Sequence, residues 1–171
     1  MSEFLESSIY IDWQTPAVLA KAMELAGDSQ NDEAIAKACF EFVRDEIKHS
    51  GDYQLNPVTL KASEVLEHAT GYCYSKSHLL AALLRANGIS AALCYQRLAS
   101  DEDTSQFCLH GLNAVHLKAF GWYRVDPRGN KEGVQAEFDP PQEKLAFEIR
   151  QDGEQGLQTH YANPFQKWSM S

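Results

Sequence analysis

The amino-acid sequence predicts an α+β domain, with N-terminal helices packed on a C-terminal antiparallel sheet. Up to Gly88 the apolar residues recur at helical spacing between capping signals. Beyond Gly88 they fall in short strand-like runs separated by glycine and proline turns. Between the two halves, Leu79, Leu80, Leu83 and Leu84 mark a helix with one buried face.

The elements follow in order. Thr15 and Pro16 open a first helix over Ala17 to Ala26, and Gly27 closes it: a hydroxyl before the start, proline in the first turn, glycine after the end. Asn31 or Asp32 opens a second helix to about Lys48, with Ile35, Ala38, Phe42 and Ile47 near one face; His49 to Asp52 ends it. The stretch to Leu60 reads as loop, with Asn56-Pro57 as a turn signal. Lys61 to His68 make a short helix through Val65 and Leu66, and Ala69 to Gly71 lead into a long helix from Cys73 to Asn87, stopped by Gly88. Ile89 to Leu98 is strand-like, and Ala99 to Ser105, with the acidic run at 101–103, is a surface loop. Phe107 to Lys118 and Trp122 to Asp126 read as a hairpin turning near 119–121. Val134 to Phe138 and Leu145 to Arg150 are weaker strands, divided by Pro140-Pro141, and the remaining tail gives no assignable element.

Composition narrows the function. A chain of 171 residues, 44% hydrophobic and 23% charged, is expected to form one globular domain over residues 1–171. No apolar run approaches the roughly 20 residues needed to span a bilayer, and the start, with Glu3 and Glu6, lacks the basic and apolar blocks of a signal peptide. A cytoplasmic location is the expectation, with no membrane partner. The formal charge of −9 offers no basic stripe for phosphates, which argues against nucleic acid. Four cysteines at spacings of 34, 21 and 14 residues form no paired-cysteine motif, and six histidines are scattered, so neither a metal nor another cofactor is expected.

Cys73 stands apart from the other three. Cys39 lies in a helical stretch and Cys94 and Cys108 in strand-like runs, the settings of small buried hydrophobes. Cys73 instead sits in the first turn of the leucine-rich helix, where unpaired N–H groups and the helix dipole favour thiolate. Gly71 is expected to leave room for a substrate over bare backbone. A thiolate nucleophile needs a histidine oriented by a carboxylate or amide. The hairpin supplies Asp126 and, an even number of residues apart on one face, His110 and His116. A loop at 118–120 sets Asp126 opposite Leu112 and makes His110 its diagonal neighbour; a loop at 119–121 selects His116 instead.

Three blocks within residues 62–127 resemble the transglutaminase-like, papain-related superfamily of cysteine enzymes. They are the approach from Ala62 through Gly71 to Cys73, the helix Leu79 to Ile89, and a histidine strand leading to Trp122 and Asp126-Pro127. The family's histidine begins a segment similar to His-x-aromatic-x-Glu-x-Tyr-Leu, which lies without gaps on His110 to Leu117; Leu112 stands for the usual aromatic and Ala114 for the usual acid. The resemblance implies a nucleophile at the start of a central helix and Cys73, His110 and Asp126 as catalytic residues. It further implies acyl transfer at an amide or peptide bond of a peptide, protein or other substrate. Hydrolysis is the expected outcome; acceptance by an amine, or a binding module that keeps the fold without chemistry, are the alternatives. The oxyanion is expected at the Cys73 N–H plus an upstream donor, for which Tyr53 and Gln54 are candidates. His78, His68, Glu67, Arg124 and Arg128 read as packing, surface or turn residues.

Overall fold

The computed structural model describes residues 1–101 and 103–164, so Glu102 of the acidic run and the last seven residues lie outside the described residues. After a 3-10 turn at Ser2–Leu5 come α1 (Pro16–Ala26), α2 (Asp32–Glu46), β1 (Lys48–His49), α3 (Ser50–Tyr53), α4 (Ala62–His68), β2 (Thr70–Gly71) and α5 (Cys73–Ala86). The second half holds β3 (Ala91–Ala99), β4 (Phe107–Leu117), β5 (Gly121–Val125), β6 (Glu137–Asp139), β7 (Gln142–Lys144) and β8 (Gln155–Gly156). The α+β arrangement is the one expected from the sequence. The helices begin where their caps dictate: α1 at Pro16, and α2 after Asn31, whose Oδ1 accepts the Ala34 N–H at 2.9 Å.

Helix α5 is the axis of the molecule. Helices α1, α2 and α4 pack on one side of it and the β3–β4 pair on the other. The main sheet runs β5-β4-β3-β8, with every neighbouring pair antiparallel. Alternation along the strands divides its faces. Ala91, Leu93, Tyr95, Val115, Leu117, Tyr123 and Val125 join the main core against the helices. Ala92, Cys94, Leu112 and Ala114 form a smaller cluster on the far face with Phe4, Trp122 and Leu145. Leu79, Leu80, Leu83 and Leu84 are all buried, as is Arg85, which donates to the carbonyls of Ala91, Glu6 and Ala162 at 2.7–3.1 Å. Among the described residues no helix is long and apolar enough to cross a membrane.

Several local expectations need correction. The buried face of α2 runs through Ile35, Ala36, Cys39, Phe40 and Val43, because i, i+4 spacing from Ile35 follows the contact with α5; Ala38 and Phe42 sit at its margin. The stretch after α2 is not plain loop. Lys48–His49 pairs in parallel with Thr70–Gly71, and α3 follows at once. Leu145 to Arg150 is not a strand: it crosses the sheet face as irregular chain after the β6–β7 hairpin. In the tail, Gln155–Gly156 adds an edge strand against β3.

Because Leu80 is fully buried at the centre of α5, Leu80→Ala is expected to lower the unfolding free energy by about 2–5 kcal/mol. Urea unfolding followed by circular dichroism checks this.

Candidate active site

Cys73 is the first residue of α5, a position with no intrahelical acceptor for its N–H. What brings it to the sheet is Gly111. A Cβ there would lie 3.0 Å from the Tyr74 Cα, so a side chain would push the start of α5 a few tenths of an ångström off β4. The Gly111 N–H consequently points at the Cys73 Sγ, 3.5 Å away. Gly71 has a different task from the one expected. It is buried, and a Cβ on it would lie 2.5 Å from the Ser75 Oγ, so its bareness serves packing of β2 on α5 and not substrate access.

The hairpin register decides between the two histidines. Leu117 pairs with Gly121 and Asn113 with Val125, so residues 118–120 form the loop and Asp126 follows opposite Leu112. His110 is then its diagonal neighbour, and its Nε2 meets the Asp126 Oδ2 at 2.6 Å. The Cys73 thiol lies beside the same ring, near enough that each shifts the titration of the other. With Nε2 engaged by the carboxylate, Nδ1 is the nitrogen that faces the sulfur. The structure therefore brings Cys73, His110 and Asp126 together. His116 stays apart: it pairs with Trp122, packs edge-on to that indole at 5.3 Å, and lines a separate cavity with Ser90 and Lys118.

Electrostatics polarise this arrangement. Burial alone would depress the His110 pKa, but the Asp126 carboxylate and the Cys73 sulfur outweigh it and lift the imidazole to about 10. Burial alone would raise the Cys73 pKa; the His110 ring, by hydrogen bond and charge, and the Gly111 N–H bring it below the ordinary thiol value. Both shifts run toward thiolate beside imidazolium. By contrast, burial pushes Cys39 and Cys94 up to about 12, keeping them as inert thiols. Cys108 is not the buried hydrophobe expected: it is exposed and lines the cavity at Cys73, since the first half of β4 extends past the helices.

Asp126 is fully buried, and its remaining bonds come from two residues that the sequence reading placed outside the site. Oδ1 accepts the Arg128 N–H at 3.2 Å and Oδ2 the Ala146 N–H at 3.3 Å. Phe147 stands edge-on to the His110 ring at 5.0 Å, and its carbonyl accepts from Gln96 at 3.2 Å. The Arg128 guanidinium packs over the Phe147 ring, 5.6 Å from its centroid, and clasps Asp52 through two bonds of 2.7 and 2.9 Å. Burial alone would raise the Asp52 pKa, but Arg128 and Lys131 hold it near 2. Burial and the Arg128 charge lower His49 to about 4, so its neutral Nδ1 accepts the Asp52 N–H at 3.3 Å. No local signal marks Ala146 and Phe147, because what places them is a chain return of some twenty residues.

A cavity of about 510 Å³ opens beside the sulfur, lined among others by Cys73, Cys108, His110, Arg128, Phe147 and Glu148. That volume suits a small-molecule or short-peptide site. Tyr53 lies outside it; it ends α3, exposed, beneath the Lys48 ammonium, and lines another cavity with Lys76. Gln54 is the left-handed residue after α3 and does not line the sulfur's cavity either. His78 is buried, donates from Nδ1 to the Leu60 carbonyl at 2.7 Å, and is held neutral by burial, its pKa lowered to about 4. His68 and Glu67 are solvated, and Arg124 pairs with Glu143 at 2.8 Å. Among the described residues no group of three or more His, Cys, Asp or Glu side chains is placed to hold a metal ion.

Comparison with known proteins gives the wider setting. The family model of the transglutaminase-like superfamily matches residues 20–127. The fold is similar to that of a candidate cysteine protease from Cytophaga hutchinsonii, with 20% identity and a TM-score of 0.58 over 73% of this chain and 40% of that one. It is similar to a candidate protease from Parabacteroides distasonis, with 14% identity and a TM-score of 0.51 over 80% and 26%. It is also similar to the periplasmic domain of TgpA from Pseudomonas aeruginosa, with 23% identity and a TM-score of 0.53 over 72% and 45%. At these identities the likeness is one of fold, and the chain spans less than half the length of each structure. Among curated proteins no sequence matches significantly.

The carboxylate raises the His110 pKa, so removing its charge has a definite sign. In Asp126→Asn the imidazole is expected to titrate more than one pH unit lower than in the unmodified protein, measured by NMR of the His110 ring.

Proposed function

The chain belongs to the transglutaminase-like superfamily, and on that premise we propose that it is a cysteine-dependent acyl-transfer enzyme that cleaves an amide or peptide bond. The observation that carries this reading is the 2.6 Å bond between His110 and Asp126 beside the Cys73 thiol, whose pKa that ring lowers.

In the proposed reaction the Cys73 thiolate adds to the amide carbonyl carbon. A C–S bond forms and the carbonyl π electrons move to oxygen. The Cys73 backbone N–H, at the positive end of α5, stabilises that oxyanion. The imidazolium of His110 passes its Nδ1 proton to the amide nitrogen, the C–N bond breaks, and the amine leaves behind a thioester. Neutral His110 then takes a proton from water as the oxygen adds to the thioester carbon. Collapse breaks the C–S bond, releasing the carboxylic acid and restoring the thiolate–imidazolium pair. Asp126 keeps its bond to Nε2–H throughout, which holds Nδ1 toward the sulfur. We take water as the acceptor and a peptide, protein or other amide as the substrate. The roughly 510 Å³ cavity between β4 and the 146–148 segment is where the acyl group would sit.

Thiol reactivity tests the proposal. Cys73 is expected to be alkylated by iodoacetamide with an apparent pKa well below the free-thiol value of about 8.5. His110→Ala should remove that advantage, and Cys73→Ser corrects for labelling of the exposed Cys108. The two folded pKa directions also set the pH window for turnover of an amide substrate. Activity rises as the thiol ionises at its depressed value and is lost as pH passes through about 10, where His110 gives up its proton. A Cys73 that reacts no faster than a free cysteine at pH 6 would leave only the binding-module reading.

A further inference from the structure

Lys76 lies one turn beyond Cys73 on α5 and has no solvent exposure. A fully buried lysine is rare, because its ammonium loses its hydration, and one survives only where acceptors replace the water. Here the acceptors are three backbone carbonyls: Ile47 at 2.5 Å, Arg128 at 2.7 Å and Arg44 at 3.4 Å. Three acceptors match the three N–H bonds of an ammonium, and a neutral amine has only two. Arg44 and Ile47 lie at the end of α2, where carbonyls lack intrahelical partners and the helix dipole favours a cation. Arg128 lies two residues past Asp126.

These bonds close a circuit. From Cys73 the rigid first turn of α5 leads to Lys76, whose Nζ holds the Arg128 carbonyl. The Arg128 N–H holds the Asp126 Oδ1, Oδ2 of the same carboxylate holds His110, and the His110 ring stands beside the Cys73 thiol. We propose that Lys76 is a positioning residue of this site: by clamping the Arg128 carbonyl to the helix that carries the nucleophile, it sets where Asp126, and through it His110, stands relative to the sulfur. The inference rests on the cysteine-enzyme reading above. It adds a residue that touches neither the thiol nor the imidazole.

Arg85 provides the control. It is a second buried cation on α5 that holds backbone carbonyls, but those of Ala91, Glu6 and Ala162, away from Cys73. A purely structural role predicts the same result for both residues. Burial and the Arg128 charge lower the Lys76 pKa to about 7, against the carboxylates of Asp126, Asp45 and Asp52, so alkylation is compared at pH 6, where all three protons are held.

The experiment measures iodoacetamide labelling of Cys73 from pH 4 to 9, with melting temperature, for the unmodified chain, Lys76→Met, Lys76→Gln and Arg85→Met. Lys76→Met keeps the length of the side chain and removes every donor; Lys76→Gln retains two N–H bonds and is the fallback if the methionine variant does not fold. The expected result is a Cys73 profile displaced upward by at least about one unit in Lys76→Met, a roughly tenfold lower rate on the acid limb of the profile. Lys76→Gln should lie between, and Arg85→Met should melt earlier with an unchanged profile. A folded Lys76 variant whose profile matches the unmodified chain, or an equal displacement in Arg85→Met, overturns the positioning role while the depressed profile of the unmodified chain still upholds the enzyme reading. If the unmodified chain itself shows an ordinary thiol, both fall together.

Discussion

The arrangement depends on a carboxylate with no access to water. Asp126 is fully buried, and a bare carboxylate in that place would cost several kcal/mol. Its charge is tolerable because the His110 ring and the backbone N–H groups of Arg128 and Ala146 surround it. The same requirement runs outward. The Asp126 carboxylate favours the proton on the imidazole, and the His110 ring in turn lowers the pKa of the neighbouring thiol. One desolvated acid thus propagates charge to a thiol at the mouth of the cavity.

The fold serves this by holding three segments in one register. Helix α5 delivers the sulfur, the bare backbone of Gly111 lets β4 approach it, and the β4–β5 hairpin sets the acid diagonally across from the histidine. Irregular chain from residues 145 to 148 closes the far side, and the Phe147 ring shields the imidazole. The family model stops at residue 127, so this cover lies outside the part of the chain that it matches. Beneath the site, buried polar groups replace what apolar packing cannot do. Lys76 ties the end of α2 and the segment after Asp126 to the central helix, and the Arg128–Asp52 pair ties that segment to α3.

Much of this was legible from local pattern. The leucine spacing of α5, the cysteine at its start, the strand parity of His110 and Asp126 at a strand end are written within a few residues of one another. Neighbours in sequence settle such features through helix caps, side-chain periodicity and turn chemistry. The resemblance to a cysteine-enzyme family rested on the same short blocks. Even there, α2 turned its face to Cys39 and Phe40 instead of Phe42, because the partner helix chose among several possible apolar stripes.

By itself, then, the sequence determined the elements, their order and the nucleophile's seat at the head of a buried helix. Only the tertiary structure decided that residues 118–120 form the hairpin loop, the register that sets His110, the histidine the family resemblance implied, diagonally beside Asp126. It also decided that Gly71 packs, that Cys108 is exposed, and that Ala146 and Phe147 return to cover the acid. The physical reason is common to all of these. Each depends on which surfaces the whole chain buries against one another, a balance over contacts distant in sequence that no short window of residues contains.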